Sequence, residues 1–118
     1  MSAMFALNFY PDIYENLLRS HRKTVTIRLG DKTDKYRAGQ LVWVTVGNRF
    51  ARRHKLFTAI IDRVEVKPLA ELTPRDISRE NPEFRTAEDV RDLLERIYDR
   101  PLAMEEIVTV IYFSPVEE

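Results

Sequence analysis

Three stretches with strand character follow one another with only loops between them, at residues 23–28, 41–46 and 56–66. Glycines or charged turns punctuate the gaps: the polar segment 30–39 is bounded by Gly30 and Gly39, and Gly47 opens the segment 48–55. A doubly wound parallel sheet needs a crossover helix between successive strands, so this order argues against one. The flanks complete the pattern. Residues 4–9 read as a first strand. Residues 11–20 read as a short amphipathic helix, with Pro11 in its first turn and Ile13, Leu17, Tyr14 and Leu18 on adjacent stripes. Thr73 and Pro74 open a helix that runs to about Asn81. Thr86 and Asp89 form a capping box for the clearest helix, 87–98, with Val90, Leu93, Leu94 and Ile97 as its apolar stripe. Residues 107–113 close the chain as a strand. The expectation is an α+β domain: a small, mostly antiparallel β-barrel, or strongly curled sheet, with helices packed on the outside. The irregular apolar spacing over 56–66 predicts a bulge or bend in that strand.

Within this frame the hexapeptide Lys23, Thr24, Val25, Thr26, Ile27, Arg28 stands out. Alternation puts Val25 and Ile27 on one face and Thr24, Thr26 and Arg28 on the other, with Lys23 at the strand's start. Hydroxyls beside cations on a strand backed by a dry face can floor a binding or catalytic cleft. An ordinary half-solvated strand carries the same alternation.

At 118 residues, with an apolar fraction of 44% and a charged fraction of 32%, the chain fits one soluble domain. Lys plus Arg equal Asp plus Glu at 19 each, so any affinity for nucleic acid must come from local clustering rather than net charge. The absence of cysteine excludes disulfides, thiol nucleophiles and thiolate zinc sites. His21 and His54 are far apart and lack a carboxylate pattern, so neither a metal nor a cofactor is expected. Neither a membrane span nor a secretory leader is visible, and a cytoplasmic location is the expectation.

The order of elements, together with particular words in the sequence, resembles the ASCH domain of the PUA-like fold. The residues that carry the likeness are 23–28; Tyr36 to Gly39 leading into Leu41, Val42, Trp43 and Val44; Leu72 and Thr73; Glu80 and Asn81; Ile97 and Tyr98; and the closing strand 107–113. The likeness spans nearly the whole chain. The broad ASCH pattern has a glycine before the lysine and an acid shortly before the arginine, where this chain has His21 and Thr26. That departure resembles the branch that includes small bacterial N(4)-acetylcytidine amidohydrolases. The resemblance implies hydrolysis of a linear amide on a modified nucleoside, with Lys23, Thr26 and Glu80 as catalytic residues. Glu83 is the alternative acid.

The chemistry of those residue types agrees with such a role. Amide hydrolysis needs a nucleophile, a base and a donor for the oxyanion. Thr26 offers the hydroxyl. Lys23 can act as base if burial and a neighbouring cation such as Arg28 lower its pKa. Glu80 near Lys23 would raise that pKa, so its role is to donate or relay a proton, or to hold the substrate amine. Thr24, Arg28, Arg52 and Arg53 are the expected substrate-binding residues. A second reading is a non-catalytic RNA-binding module, with the basic segment Arg49, Phe50, Ala51, Arg52, Arg53, His54, Lys55 gripping phosphates and stacking a base. A third is a partner-binding adaptor that uses the charged linker 79–85. Oligomeric state is not legible.

Overall fold

The structure is a computed structural model that describes residues 5–48 and 51–117. Met4, expected in the first strand, and Arg49 and Phe50 of the basic segment lie outside the described residues. Five strands make one sheet: β1 (Ala6–Phe9), β2 (Val25–Leu29), β3 (Leu41–Val46), β4 (His54–Pro68) and β5 (Ile107–Val116). Their spatial order is β1-β3-β4-β5-β2. Only the β1–β3 pair is parallel, and the other three are antiparallel. The parallel pair is accounted for by the crossover between its strands, which contains helix α1 (Pro11–Arg19) and β2.

β4 is the spine of the sheet. Its 15 residues pair with β3 on one side and β5 on the other. The bulge expected in this strand lies between Ile61 and Arg63, where Asp62 is the extra residue. A second register shift falls between Val44 and Thr45 of β3. Each adds local twist and bends the ladder. The sheet therefore curls into a half-barrel whose two edge strands approach without a backbone ladder. A side chain spans the gap: Arg28 Nη2 on β2 donates to the Asn8 carbonyl on β1 at 3.2 Å.

Curling gives the sheet two cores. The concave side holds Leu7, Phe9, Val42, Val44, Val46, Ala59, Ile61, Ile111 and Phe113, and α1 inserts Tyr14 and Leu18 among them. Over the β2–β5 end, the convex side packs Val25, Ile27, Val108 and Val110 against a short 3₁₀ turn (Leu69–Glu71) and two helices. These are α2 (Pro74–Glu80) and α3 (Ala87–Tyr98), which contribute Ile77, Val90 and Leu94. Capping boxes start both helices, at Thr73 with Asp76 and at Thr86 with Asp89.

The turn from α1 into β2 carries an unusual backbone. His21 has φ 58°, in the left-handed region. Its N–H donates to the Leu18 carbonyl at 3.1 Å, and the Arg22 N–H reaches the Leu17 carbonyl at 2.9 Å, which ends the helix. Glycine is the usual residue at such a position. The His21 ring meets Phe57 edge-on at 5.3 Å between centroids. Ala and Gly both remove that contact, but only Ala retains the left-handed penalty. The His21→Gly variant is therefore expected to be more stable than His21→Ala by about 1 kcal/mol in urea unfolding. Equal midpoints would show that the backbone relaxes there at no cost.

Candidate functional site

Helix α2 has seven residues, too few to be stable alone. Two buried acids one turn apart, Asp76 and Glu80, dock it onto the sheet. Lys67 Nζ lies 2.6 Å from Asp76 Oδ2, and the Tyr112 hydroxyl donates to Asp76 Oδ1. Burial alone would raise the Asp76 pKa. Lys67, Tyr112 and the Thr73 N–H outweigh it and hold the carboxyl below its ordinary value. With its first turn fixed in this way, α2 delivers Glu80 at its last turn.

Glu80 meets a matching set of partners. Its Oε1 lies 2.7 Å from Lys23 Nζ and also accepts the Tyr14 hydroxyl. Its Oε2 accepts the Ile27 N–H at 2.9 Å. Lys23 is 1% exposed and donates in addition to the carbonyls of Val25 (2.7 Å) and Glu80 (2.8 Å). Its ammonium also sits 4.2 Å from the centroid of the Tyr14 ring. A lysine this deep persists only because each N–H has an acceptor. Burial pushes its pKa down to about 8. Glu80 opposes that shift, and Arg28 adds to it. Tyr14 is driven above its ordinary value, by burial first and then by Glu80.

A folded-state lysine pKa below its unfolded value means that the unfolded chain binds more protons between about pH 8 and 10.5. Stability is therefore expected to rise with pH from 8 to 10, by on the order of 2 kcal/mol from this residue. The tyrosines act in the opposite sense above about pH 10: Tyr112 is pushed up to about 12 by burial and Asp76, so unfolding is then favoured by phenol ionisation. Urea unfolding at pH 8, 9 and 10 checks the window. A Lys23→Met/Glu80→Leu double variant should lose the rise, and a wild-type slope of zero would contradict it.

Beside this cluster lies a cleft of about 80 Å³, lined by Thr26, Arg28, Tyr14 and Glu80 on its polar side and by Phe9, Leu93, Leu94 and Ile97 on its apolar side. Arg28 Nε donates to Thr26 Oγ1 at 2.9 Å, and the guanidinium lies 5.0 Å from the Phe9 ring centroid. Lys23 does not line the cleft and is reached through Glu80, which does.

The three expected catalytic residues are thus brought together, with Lys23 and Glu80 in direct contact and Thr26 on the adjoining wall. Of the two candidate acids, Glu80 meets Lys23, whereas Glu83 is exposed and lines a different surface depression. Arg28 is in the cleft. Thr24, Arg52 and Arg53 are not among the lining residues. Thr24 is tied by its backbone to Arg79 and Phe113, and the two arginines are exposed on the segment that folds against Gly47. Tyr14 is legible in the sequence only as part of a helical stripe. A tyrosine rather than leucine at a buried position opposite the 23–28 strand is the available sign, since a buried phenol needs a polar partner. Among the described residues, no group of three or more His, Asp or Glu side chains could hold a metal ion, and no helix is long and apolar enough to cross a membrane.

No family model and no curated protein matches the sequence. Solved structures do match in three dimensions. An Enterococcus faecalis V583 protein of family DUF984 superposes with a TM-score of 0.67 at 17% identity, over 98% of this chain and 82% of its own. An ASCH domain from Lactobacillus crispatus JV V101 gives 0.67 at 14% identity, over 96% and 79%. A hypothetical protein gives 0.67 at 14% identity, over 97% of this chain and all of its own. At these identities the likeness is one of fold, and the fold is that of the ASCH domain within the PUA-like class: a curled five-stranded half-barrel with three helices.

Proposed function

We propose that this protein hydrolyses the exocyclic amide of an N(4)-acylated cytidine, with N(4)-acetylcytidine as the expected substrate and cytidine and acetate as products. The observation that carries this reading is that Glu80 lines the cleft together with Thr26 and holds the buried Lys23 ammonium at 2.7 Å behind it, although Glu80 is 53 residues from its hydrogen-bond partner Ile27.

In this mechanism the Thr26 hydroxyl attacks the acyl carbon. Its proton passes to the Lys23–Glu80 pair, a lysine with pKa about 8 hydrogen-bonded to a carboxylate that lines the cleft. Such a pair can hold a proton near neutral pH and return it, as general catalysis requires. The Arg28 guanidinium, already bonded to Thr26 Oγ1, stabilises negative charge as it develops on oxygen. The C–N bond then breaks and the departing exocyclic nitrogen takes the proton back, leaving acyl-Thr26. Water attacks that ester, the acid leaves, and the Thr26 hydroxyl is restored.

The direct test is incubation of the purified protein with N(4)-acetylcytidine, with acetate and cytidine measured together. Stoichiometric release of both is expected. If no N(4)-acylated cytidine is turned over, whether nucleoside or nucleotide, the proposal is wrong.

A further inference from the structure

The cleft continues outward. Beyond the inner chamber, an open shelf of about 310 Å³ is lined by Tyr10, Ile13, Leu93, Arg96 and Ile97. Tyr10, Leu93 and Ile97 belong to both, so chamber and shelf are two parts of one groove. The inner part, at about 80 Å³, is roughly half the volume of the apolar cavity of about 150 Å³ that holds a benzene molecule. It takes a group of a few heavy atoms, such as an acetyl amide, and the rest of a nucleoside must lie on the shelf. In an N(4)-acylated cytidine, the acylated amine and the sugar stand at opposite ends of the pyrimidine ring. With the acyl carbon at Thr26, the base lies along Tyr10 and Ile97, and the sugar and anything attached to it point to the outer end.

What waits on that shelf is a cation. Arg96 is exposed, in the last turn of α3. No carboxylate among the described residues pairs with it, and Asp92, one turn earlier, is taken by Arg91 at 3.2 Å. No acidic side chain lines the shelf. An unpaired guanidinium at the sugar end of an apolar groove matches a phosphate, which arginine binds through paired N–H donors. We infer that Arg96 is a phosphate-binding residue, and that the preferred substrate is a 5′-nucleotide rather than the free nucleoside. This inference rests on the hydrolase reading above and specifies which form of the modified cytidine is used.

Two measurements test it. The first compares kcat/KM for N(4)-acetylcytidine 5′-monophosphate with that for N(4)-acetylcytidine. Wild type is expected to favour the nucleotide about tenfold, the scale of one charge-assisted contact. Arg96→Gln should reduce the ratio to near one, whereas Arg91→Gln, on the same helix, should keep it. Equal rates in wild type, or a ratio unchanged in Arg96→Gln, would overturn the assignment. A trinucleotide with a central acetylcytidine, if turned over faster than the mononucleotide, would also overturn it in favour of a strand-borne phosphate. The second measurement needs no turnover: calorimetric binding of cytidine 5′-monophosphate and cytidine to wild type and Arg96→Gln. Tighter binding of the nucleotide, lost in the variant, supports the phosphate site even if neither acylated compound is hydrolysed. In that case the hydrolase reading fails and the shelf stands. Indistinguishable binding of the two ligands removes the shelf.

Discussion

Replacing Glu80 by leucine is expected to destabilise the fold by about 3–5 kcal/mol, because it strands the Lys23 ammonium in the interior. Lys23 has three acceptors, two of them backbone carbonyls, and Glu80 supplies the only countercharge within bonding distance among the described residues. The substitution also removes the acceptor for the Tyr14 hydroxyl and for the Ile27 N–H. Lys23→Met, in turn, leaves the carboxylate buried beside a phenol and a single amide. Each single variant therefore carries an uncompensated charge, and the double variant does not. The Lys23→Met/Glu80→Leu protein should be no less stable than the weaker single variant, giving a coupling of at least about 2 kcal/mol in a double-mutant cycle. Urea unfolding of all four proteins at pH 7 measures it. Additive losses would mean that water reaches Lys23 and that the pair is not a buried one.

Much of the fold can be read from the sequence because its cues are local. Strand alternation, the prolines at 11 and 74, the Thr73 N-cap and the Thr86–Asp89 capping box each act over three or four residues, and each produces the expected element. The bulge in β4 is visible as a break in apolar spacing, and the run of three strands without intervening helices excludes the parallel alternative. The site is legible only in part, because its decisive contacts are not local. Lys23 is expected at a strand entrance, and nothing in its sequence neighbours indicates burial among Phe9, Tyr14 and Glu80. That burial depends on α1 folding over the concave face and on α2 arriving from the far side of the sheet. Arg28 reads as a polar-face residue, but its part in bridging the two sheet edges follows from the curl alone. The Asp76, Lys67 and Tyr112 cluster has no sequence cue beyond a capping acid, because Lys67 and Tyr112 lie on separate strands. Exposure is also hard to foresee: Leu41 and Trp43 belong to an almost wholly apolar strand, yet both point away from the concave core and are more than two-fifths exposed.

Thr26→Ala is expected to lower kcat for N(4)-acetylcytidine by about 10³-fold or more, the scale seen when a covalent nucleophile is removed. The change deletes one hydroxyl whose hydrogen-bond donor is Arg28 Nε, on a side chain that is only half-buried and can turn to water. The fold should lose little, so unfolding midpoints near wild type would separate chemical loss from collapse. Thr26→Ser restores the oxygen without the methyl and should recover most of the rate. Two results would be incompatible with a nucleophilic threonine. One is Thr26→Ala activity within about tenfold of wild type, which would assign attack to water activated by the Lys23–Glu80 pair. The other is failure of the serine variant alongside retained substrate binding, which would make the methyl group, and hence packing against the apolar wall, the feature that matters. Because Lys23 carries a pKa of about 8, the wild-type rate should also climb through that pH as the amine becomes able to accept a proton. A mechanism in which the charged ammonium does the work would show the rate falling there instead.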